Sequence, residues 1–295
     1  MNLSNYFKDN EIIADGKFSF LGYVDSSKRR TLAFCDTIFY LKKANANPNI
    51  SCIITTRDLS VCIEPQKGIV VSDNPRISFF KLHNSMIEKE LPIVLPEYGR
   101  GQNCRIHPTA FISPRTKIGN HVTIAENVVI KDEVEIGDQT FIDANAVVGS
   151  EGLLYFEENG KVHFIRHAGG VKIGRRVTIL SSAVIVKSVH DSLLTTIGDH
   201  SIIGVLTNVG HEAQIGHNCV ISSNCVIARR VKVSDHVLIG PSSVIREHVT
   251  VHKNARVKMG SVVIEDVSEN QSVSGSFAVD HKTSLRAYHR MKYNP

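Results

Sequence analysis

The sequence predicts a mainly-β protein: a parallel β-solenoid of six-residue repeats, preceded by a small α/β domain and followed by a short C-terminal helix. Three observations carry this. An aliphatic residue returns at every sixth position from Ile106 to Val148, again at Ile173, Ile179 and Ile185, and then from Ile197 to Val263. The next residue is repeatedly glycine, as in "KIGNH", "EIGDQ", "KIGRR", "TIGDH" and "QIGHN". A period of six matches neither the 3.6 of a helix nor the 7 of a coiled coil, so a helix would smear these residues around its surface. One short strand and one tight corner per hexad keep each aliphatic side chain inward, and three hexads close a triangular coil of eighteen residues.

The elements follow in order. Residues 1–100 carry β-like runs, "FSFLGYV", "TIFYL", "SCIITT" and "GIVVSD", and a helix-like stretch, "ISFFKLHNSMIEKEL". This reads as an α/β domain ending near "LPEYGRGQN". The solenoid occupies 101–268, and two segments, 149–170 and 190–195, interrupt its period and must loop out. Long loops on a rigid scaffold are usually functional. Residues 269–295 form a tail with room for one short basic helix in "DHKTSLRAYHRMKYNP".

Composition narrows the function. A chain of 295 residues can bury a substantial core. It has no run of eighteen apolar residues and no basic-then-apolar leader, so the expectation is a soluble cytoplasmic protein without a membrane span. Six cysteines without paired short spacings read as reduced, mostly buried thiols, and no metal site is expected. A net charge of +5, scattered basic residues and no tryptophan give no nucleic-acid signature.

Solenoid geometry separates the two histidines of "VGHEAQIGHNCV". Residues one coil apart stack vertically, about 4.8 Å from each other. His217 lies one hexad past His211 and so falls near the next corner. His248 lies two coils and one residue past His211, on the same ridge and roughly 10 Å along the axis. Geometry alone leaves open whether that pair is functional, since corners expose polar residues indiscriminately and the chain has fourteen histidines.

The chain resembles the hexapeptide-repeat acyltransferases, and over its whole length the N-acyltransferase of the lipid A pathway, which acylates a UDP-linked 3-O-acylglucosamine. The shared features are "TIFYL", "VVGSEG", "RHAGGVKIG", "TTIGD", "RVKVSDHVLIGPSSVI" and "SVSGSFA". The resemblance implies a left-handed β-helix, a nucleotide-sugar-binding N-terminal domain and a homotrimer with active sites between subunits. Counting hexads from "TTIGD", the family's catalytic histidine falls on His211 and its second active-site histidine on His248. A second resemblance, to bacterial sugar N-acetyltransferases of the same class, matches a His-Glu pair to His211-Glu212. The oxyanion-binding amide falls on Arg229, one coil above His211. Phe39 matches an aromatic that stacks on uracil. Phe39, Tyr40, Lys42, Glu151, His163 and His167 are the expected substrate contacts, and Arg230, Arg246, Lys258, Gly240 and Gly260 the expected coenzyme A contacts.

The chemistry suits those residue types. Acyl transfer from a thioester to an amine needs the amine unprotonated and the oxyanion stabilised. Neutral imidazole accepts the proton, Glu212 orients the ring, and no serine or cysteine nucleophile is needed. The departures from the family are specific. Its aspartate partner is replaced by Gly204, its Asp-Arg-Gly by Val186-Lys187-Ser188, its oxyanion glycine by Arg229, and the Asn and Tyr after the aromatic by Lys42 and Asn45. The tail is also shorter than the helices that dock acyl carrier protein. The expected function is therefore transfer of acetyl or 3-hydroxybutyryl from acyl-coenzyme A, a co-substrate rather than a bound cofactor, to a nucleotide-linked amino sugar. The alternatives are the carrier-protein-dependent lipid A reaction and a non-catalytic sugar-binding scaffold. A third rival, a zinc carbonic anhydrase on the same repeat, needs three histidines in one cleft, which these corners do not offer.

Overall fold

A computed structural model describes residues 1–89, 99–191, 193–275 and 280–293. The "LPEY" that closes the N-terminal domain, the end of "ISFFKLHNSMIEKEL" and the "SFA" of the terminal motif lie outside the described residues.

From Arg105 the chain winds into three parallel sheets. Sheet I has eight strands, from Phe111–Ile112 to Val262–Val263. Sheet II has seven, from Thr116–Ile118 to Thr250–Val251, and sheet III has nine, from Arg105–Ile106 to Ser272–Val273. The registers pair each aliphatic of the hexad with its counterpart one coil on, as in Val209 on Ile227 and Ile227 on Ile245. These side chains form one continuous buried core.

The corners explain the rest of the repeat. In most hexads one residue has left-handed φ, among them Asn127, Asn145, Glu212, Asn218, Asn224, Arg230 and His248. Asparagine tolerates that conformation best among residues with a side chain, hence its frequency there. The glycines of the five "IG" pairs quoted above, Gly119, Gly137, Gly174, Gly198 and Gly216, follow sheet II and lie directly under the next coil. A Cβ on Gly137 would come within 2.6 Å of the Gly174 carbonyl carbon, and one on Gly198 within 2.5 Å of that of Gly216. Inside the corners, Thr207 donates its hydroxyl to the Ser222 carbonyl, and the Cys219 and Cys225 thiols donate to those of Ser234 and Gly240. All six cysteines are free.

The N-terminal unit is a five-stranded sheet of order β1-β5-β4-β3-β2: β1 (Ile12–Ala14), β2 (Phe20–Leu21), β3 (Thr31–Cys35), β4 (Ile50–Thr55) and β5 (Gly68–Val71). Helices α1 (Ile38–Ala46), α2 (Arg57–Ser60) and α3 (Pro75–Lys89) accompany it. Two expectations fail here. "TIFYL" is the start of α1, not a strand: Thr37 caps the helix through the Tyr40 N–H, and only Leu41 and Ala44 turn inward. "FSFLGYV" keeps only the two residues of β2, while the unforeseen "TLAFC" forms the buried β3.

The interruptions of the repeat join the two units. The 149–170 segment projects a hairpin, Tyr155–Glu158 paired with Lys161–Phe164. Leu154, Phe156 and Ile165 from it, and Val189 beside the second loop, enter the same core as Phe18, Leu32, Phe79 and Phe80. Lys81 on α3 binds Glu158 at 2.7 Å, and Asn84 bonds the Phe164 carbonyl and the Arg166 N–H. The tail forms an exposed helix α4 (His281–Tyr293). Among the described residues no helix is long and apolar enough to cross a membrane.

Replacing Gly198 by alanine forces a coil apart or a strand out of register. It should cost about 1–3 kcal/mol in urea unfolding, against less than about 0.5 kcal/mol for Gln214→Ala on the exposed face of sheet II.

Candidate active site

The corner between sheets I and II stacks three hexads: Gly210–Glu212 after Asn208–Val209, Ala228–Arg230 after Val226–Ile227, and Arg246–His248 after Val244–Ile245. Their left-handed residues, Glu212, Arg230 and His248, form one column. The N-terminal unit faces this column across a cavity of about 520 Å³. His211, Arg229, Arg230 and His248 line one wall; Tyr23, Asp25, Asp36, Phe39, Tyr40, Lys43 and Arg76 line the other. A second cavity of about 730 Å³ opens over the outer face of sheet I and the 149–170 loop. His211 and Arg229 from the corner, with Leu154 from the loop and Arg76 from α3, line both.

His211 is 4% exposed. Its Nδ1 lies 3.8 Å from Glu212 Oε2, and neither atom has a hydrogen-bond partner. The Glu212 carboxylate is buried, takes the Val189 N–H on Oε1 at 3.3 Å, and has Arg230 Nε 4.0 Å from Oε2; its own N–H donates to Thr195 Oγ1. Arg230 bridges the two units: it binds Asp25 directly and lies 4.7 Å over the Tyr23 ring. Burial, and next the Glu212 charge, push the Tyr23 phenol well above its usual range. Burial, then the Arg230 and Arg229 charges, hold His248 below the ordinary histidine pKa.

The structure redistributes the expected site residues. Phe39 and Tyr40 line the cavity, but from helix α1, where Lys43 shares their face and caps Phe39 at 4.4 Å. Lys42 is exposed and outside the cavity, because on a helix residue 43, not 42, follows residues 39 and 40 on one side. His163 sits on the hairpin, stacked on Phe156, and lines neither cavity. Glu151 lines the second cavity, whereas His167 is buried behind His211 and cannot touch a ligand as it stands. Arg230 is committed to Asp25 and Glu212 rather than free for coenzyme A. Arg246 is exposed on the right corner but beyond both cavities.

Lys258, Gly240 and Gly260 stand on the corner between sheets III and I, away from either cavity. Their roles there are structural. A Cβ on Gly240 would meet the Met259 nitrogen at 2.6 Å, Gly260 has φ +64°, and the Lys258 carbonyl accepts the Ser243 and Ser261 hydroxyls. His217 lies on the third corner, where Nδ1 accepts the Asp199 N–H at 3.0 Å and its own N–H reaches Asp235 Oδ1 at 2.7 Å. Asp25, Asp36, Lys43 and Arg76 escaped the sequence reading, since nothing in their local pattern says that they face a corner more than a hundred residues away.

The bacterial transferase hexapeptide (six repeats) profile matches residues 101–132 and 194–229. The acyl-(acyl-carrier-protein)–UDP-N-acetylglucosamine O-acyltransferase of Campylobacter concisus is 28% identical over 170 residues, 57% of this chain and 62% of that protein. The UDP-3-O-acylglucosamine N-acyltransferase of Acinetobacter baylyi is 29% identical over 225 residues, 65% of this chain and 61% of that protein. The chain thus spans less than two thirds of these relatives' length. The crystal structure of the Bacteroides fragilis UDP-N-acetylglucosamine acyltransferase superposes with a TM-score of 0.53 at 18% identity, over 68% of this chain and 83% of that one. The solenoid is a left-handed parallel β-helix. Residues 101–132 and 194–229 thus carry the hexapeptide repeat of the bacterial transferase type.

Beside the cavity, His190 is wholly buried among Tyr23, Phe79 and His83 with both ring nitrogens unpaired. Burial holds both His83 and His190 below the ordinary value of 6.5, His190 far below. The unfolded chain therefore takes up these protons first. Stability should be full above about pH 6.5 and be lost below it, by up to about 1.4 kcal/mol per pH unit for each histidine. Urea unfolding at pH 7 and pH 5 checks this, and His190→Leu should make the loss shallower.

Proposed function

We propose that the protein is an N-acyltransferase that moves acetyl or 3-hydroxybutyryl from coenzyme A to the amine of a nucleotide-linked amino sugar, with His211 as general base. The observation that carries this reading is that two separate cavities meet at one buried imidazole. A two-substrate transfer needs such a junction, and a simple binding scaffold does not.

The nucleotide sugar enters the first cavity, its base against Phe39 and Tyr40 and its phosphates toward Lys43 and Arg76. The thioester enters the second, along the outer face of sheet I. The amine attacks the thioester carbonyl, forming the C–N bond, and His211 takes the proton the amine must lose. The Arg229 N–H, one coil above, meets the oxyanion. Collapse breaks the C–S bond, and the thiolate leaves with that proton. Glu212 supplies the carboxylate that Gly204 cannot: closing the 3.8 Å gap to Nδ1 would pair two orphaned buried atoms and stabilise the imidazolium. The activities for which the relatives are named support acyl transfer to UDP-sugars, and the first of them favours a second reading in which acyl carrier protein is the donor.

In the same reading the protein is a homotrimer. The outer faces of sheets I and III expose Phe111, Val226, Val244 and Val262, and Phe141, Ile202 and Leu238; that of sheet II carries Lys117, Lys172, Gln214 and Lys232. Two different apolar faces flanking one edge suit a heterologous contact that closes into a ring, face I of one subunit on face III of the next. Light scattering should give three times the chain mass of 32.6 kDa, and a monomer at assay concentration overturns the shared-site arrangement.

Thiol release from acetyl- and 3-hydroxybutyryl-coenzyme A, with UDP- and dTDP-linked amino sugars, tests the reaction. His211→Ala should lower kcat by about 10²–10⁴, and His217→Ala by less than about tenfold. A more damaging His217→Ala would move the base to the other corner. Turnover only with acyl carrier protein would favour the second reading.

A further inference from the structure

We propose that Glu151 and His167 are positioning residues for His211: the carboxylate fixes the His167 ring, and that ring braces the His211 imidazole from the side opposite Glu212. The inference rests on the reading of His211 as the base.

The 149–170 loop is closed on itself by this pair. Glu151 Oε2 accepts the His167 backbone N–H at 2.8 Å and lies 3.1 Å from His167 Nδ1, a short but bent approach. Glu151 is held in turn by Lys187 at 3.6 Å and Arg166 at 3.9 Å. Burial raises its pKa, but the His167 hydrogen bond and the Lys187 charge outweigh burial and keep the carboxyl below its ordinary range. The His167 side chain has no exposed surface. Its ring stands edge-to-face with His211, centroids 5.3 Å apart at 79°. The space beside Gly152 is bounded by both rings: a Cβ there would lie 3.2 Å from His167 Nε2 and 3.4 Å from His211 Cδ2.

A carboxylate at Nδ1 selects the tautomer with its proton on Nδ1, which leaves a lone pair on Nε2. That Nε2 is buried and has no hydrogen-bond partner. When His211 takes a proton, its ring carbons share the positive charge, and a lone pair on the ring packed against it favours that state. An N–H at the same place would oppose it. Glu151 therefore decides the sign of the interaction, and His167 delivers it together with a fixed ring orientation. The other charged or titratable groups around His211, namely Glu212, Arg229, Arg230, Glu247, His248, His190, Tyr23 and Arg76, belong to the solenoid corner, the second loop and the N-terminal unit. Of these, His190 also feels the His167 charge, while the remainder keep their own partners when the Glu151–His167 pair is changed.

The test combines imidazole ¹⁵N spectra of histidine-labelled protein with kinetics on acetyl-coenzyme A and a dTDP- or UDP-linked amino sugar. In the wild type His167 should show a single Nδ1–H tautomer. In Glu151→Gln it should become mixed, and His211 should titrate at lower pH. His167→Phe, which keeps a ring but no nitrogen, should shift His211 the same way. Both variants should lower kcat about 10- to 100-fold with KM for the sugar and for the thioester each within about twofold, the signature of misplacement rather than lost binding. Glu151→Asp should recover part of the loss. The part-exposed Glu151 keeps the test available should His167→Phe fail to fold. An unchanged His211 titration in Glu151→Gln overturns the proposal, as does a raised KM for either substrate at constant kcat, which would make the pair a substrate contact. Full activity in His211→Ala instead overturns the base assignment on which the pair depends.

Discussion

The register of one coil upon the next is the constraint on which the rest depends. Parallel pairing fixes each strand on its neighbour, so whatever stands at one position of a coil is repeated in space about 4.8 Å higher. Aliphatic residues become a continuous core, and glycines become the points where backbones touch. Corners become vertical columns. The column Glu212, Arg230, His248 is a product of that stacking, and so is the placement of Arg229 over His211. Each of its members holds a left-handed backbone with a full side chain, a strain that a packed solenoid sustains and that recurs at functional sites.

A second set of contacts converts the column into a site. By itself the corner is an open ridge. The first segment that breaks the repeat carries Leu154, Phe156 and Ile165 into the core of the N-terminal unit, and Val189, just before the second, joins them. Arg230 reaches across to Asp25 and Tyr23. The N-terminal unit therefore roofs the ridge, and the same Arg230 that ties the units together stands beside the Glu212 carboxylate. Docking and electrostatics at the site are not independent, because one guanidinium serves both.

Much of this was legible in the sequence for a simple reason: periodic features are local. The sixfold return of Ile and Val, the "IG" corners and the separation of His211 from His217 follow from counting hexads, and the structure keeps His211 and His248 on one corner and His217 on another. What escaped lies where period gives no guidance. "TIFYL" has a strand-like composition, but a cap at Thr37 makes it helical and exchanges Lys43 for Lys42 at the cavity. His167 reads as a polar loop residue until the hairpin folds back and buries it on His211. Gly240, Gly260 and Lys258 matched the repeat well, and for that reason serve the repeat rather than the cavity.

The most direct measurement is a crystal structure of the protein with coenzyme A and an amino-sugar nucleotide bound together. The amine should lie within about 2.6–3.2 Å of His211, with the base against Phe39 or Tyr40 and the thiol arriving along the outer face of sheet I. An amine directed at His217, or a nucleotide bound away from the cavity between α1 and the His211 corner, would contradict a two-substrate junction at that imidazole.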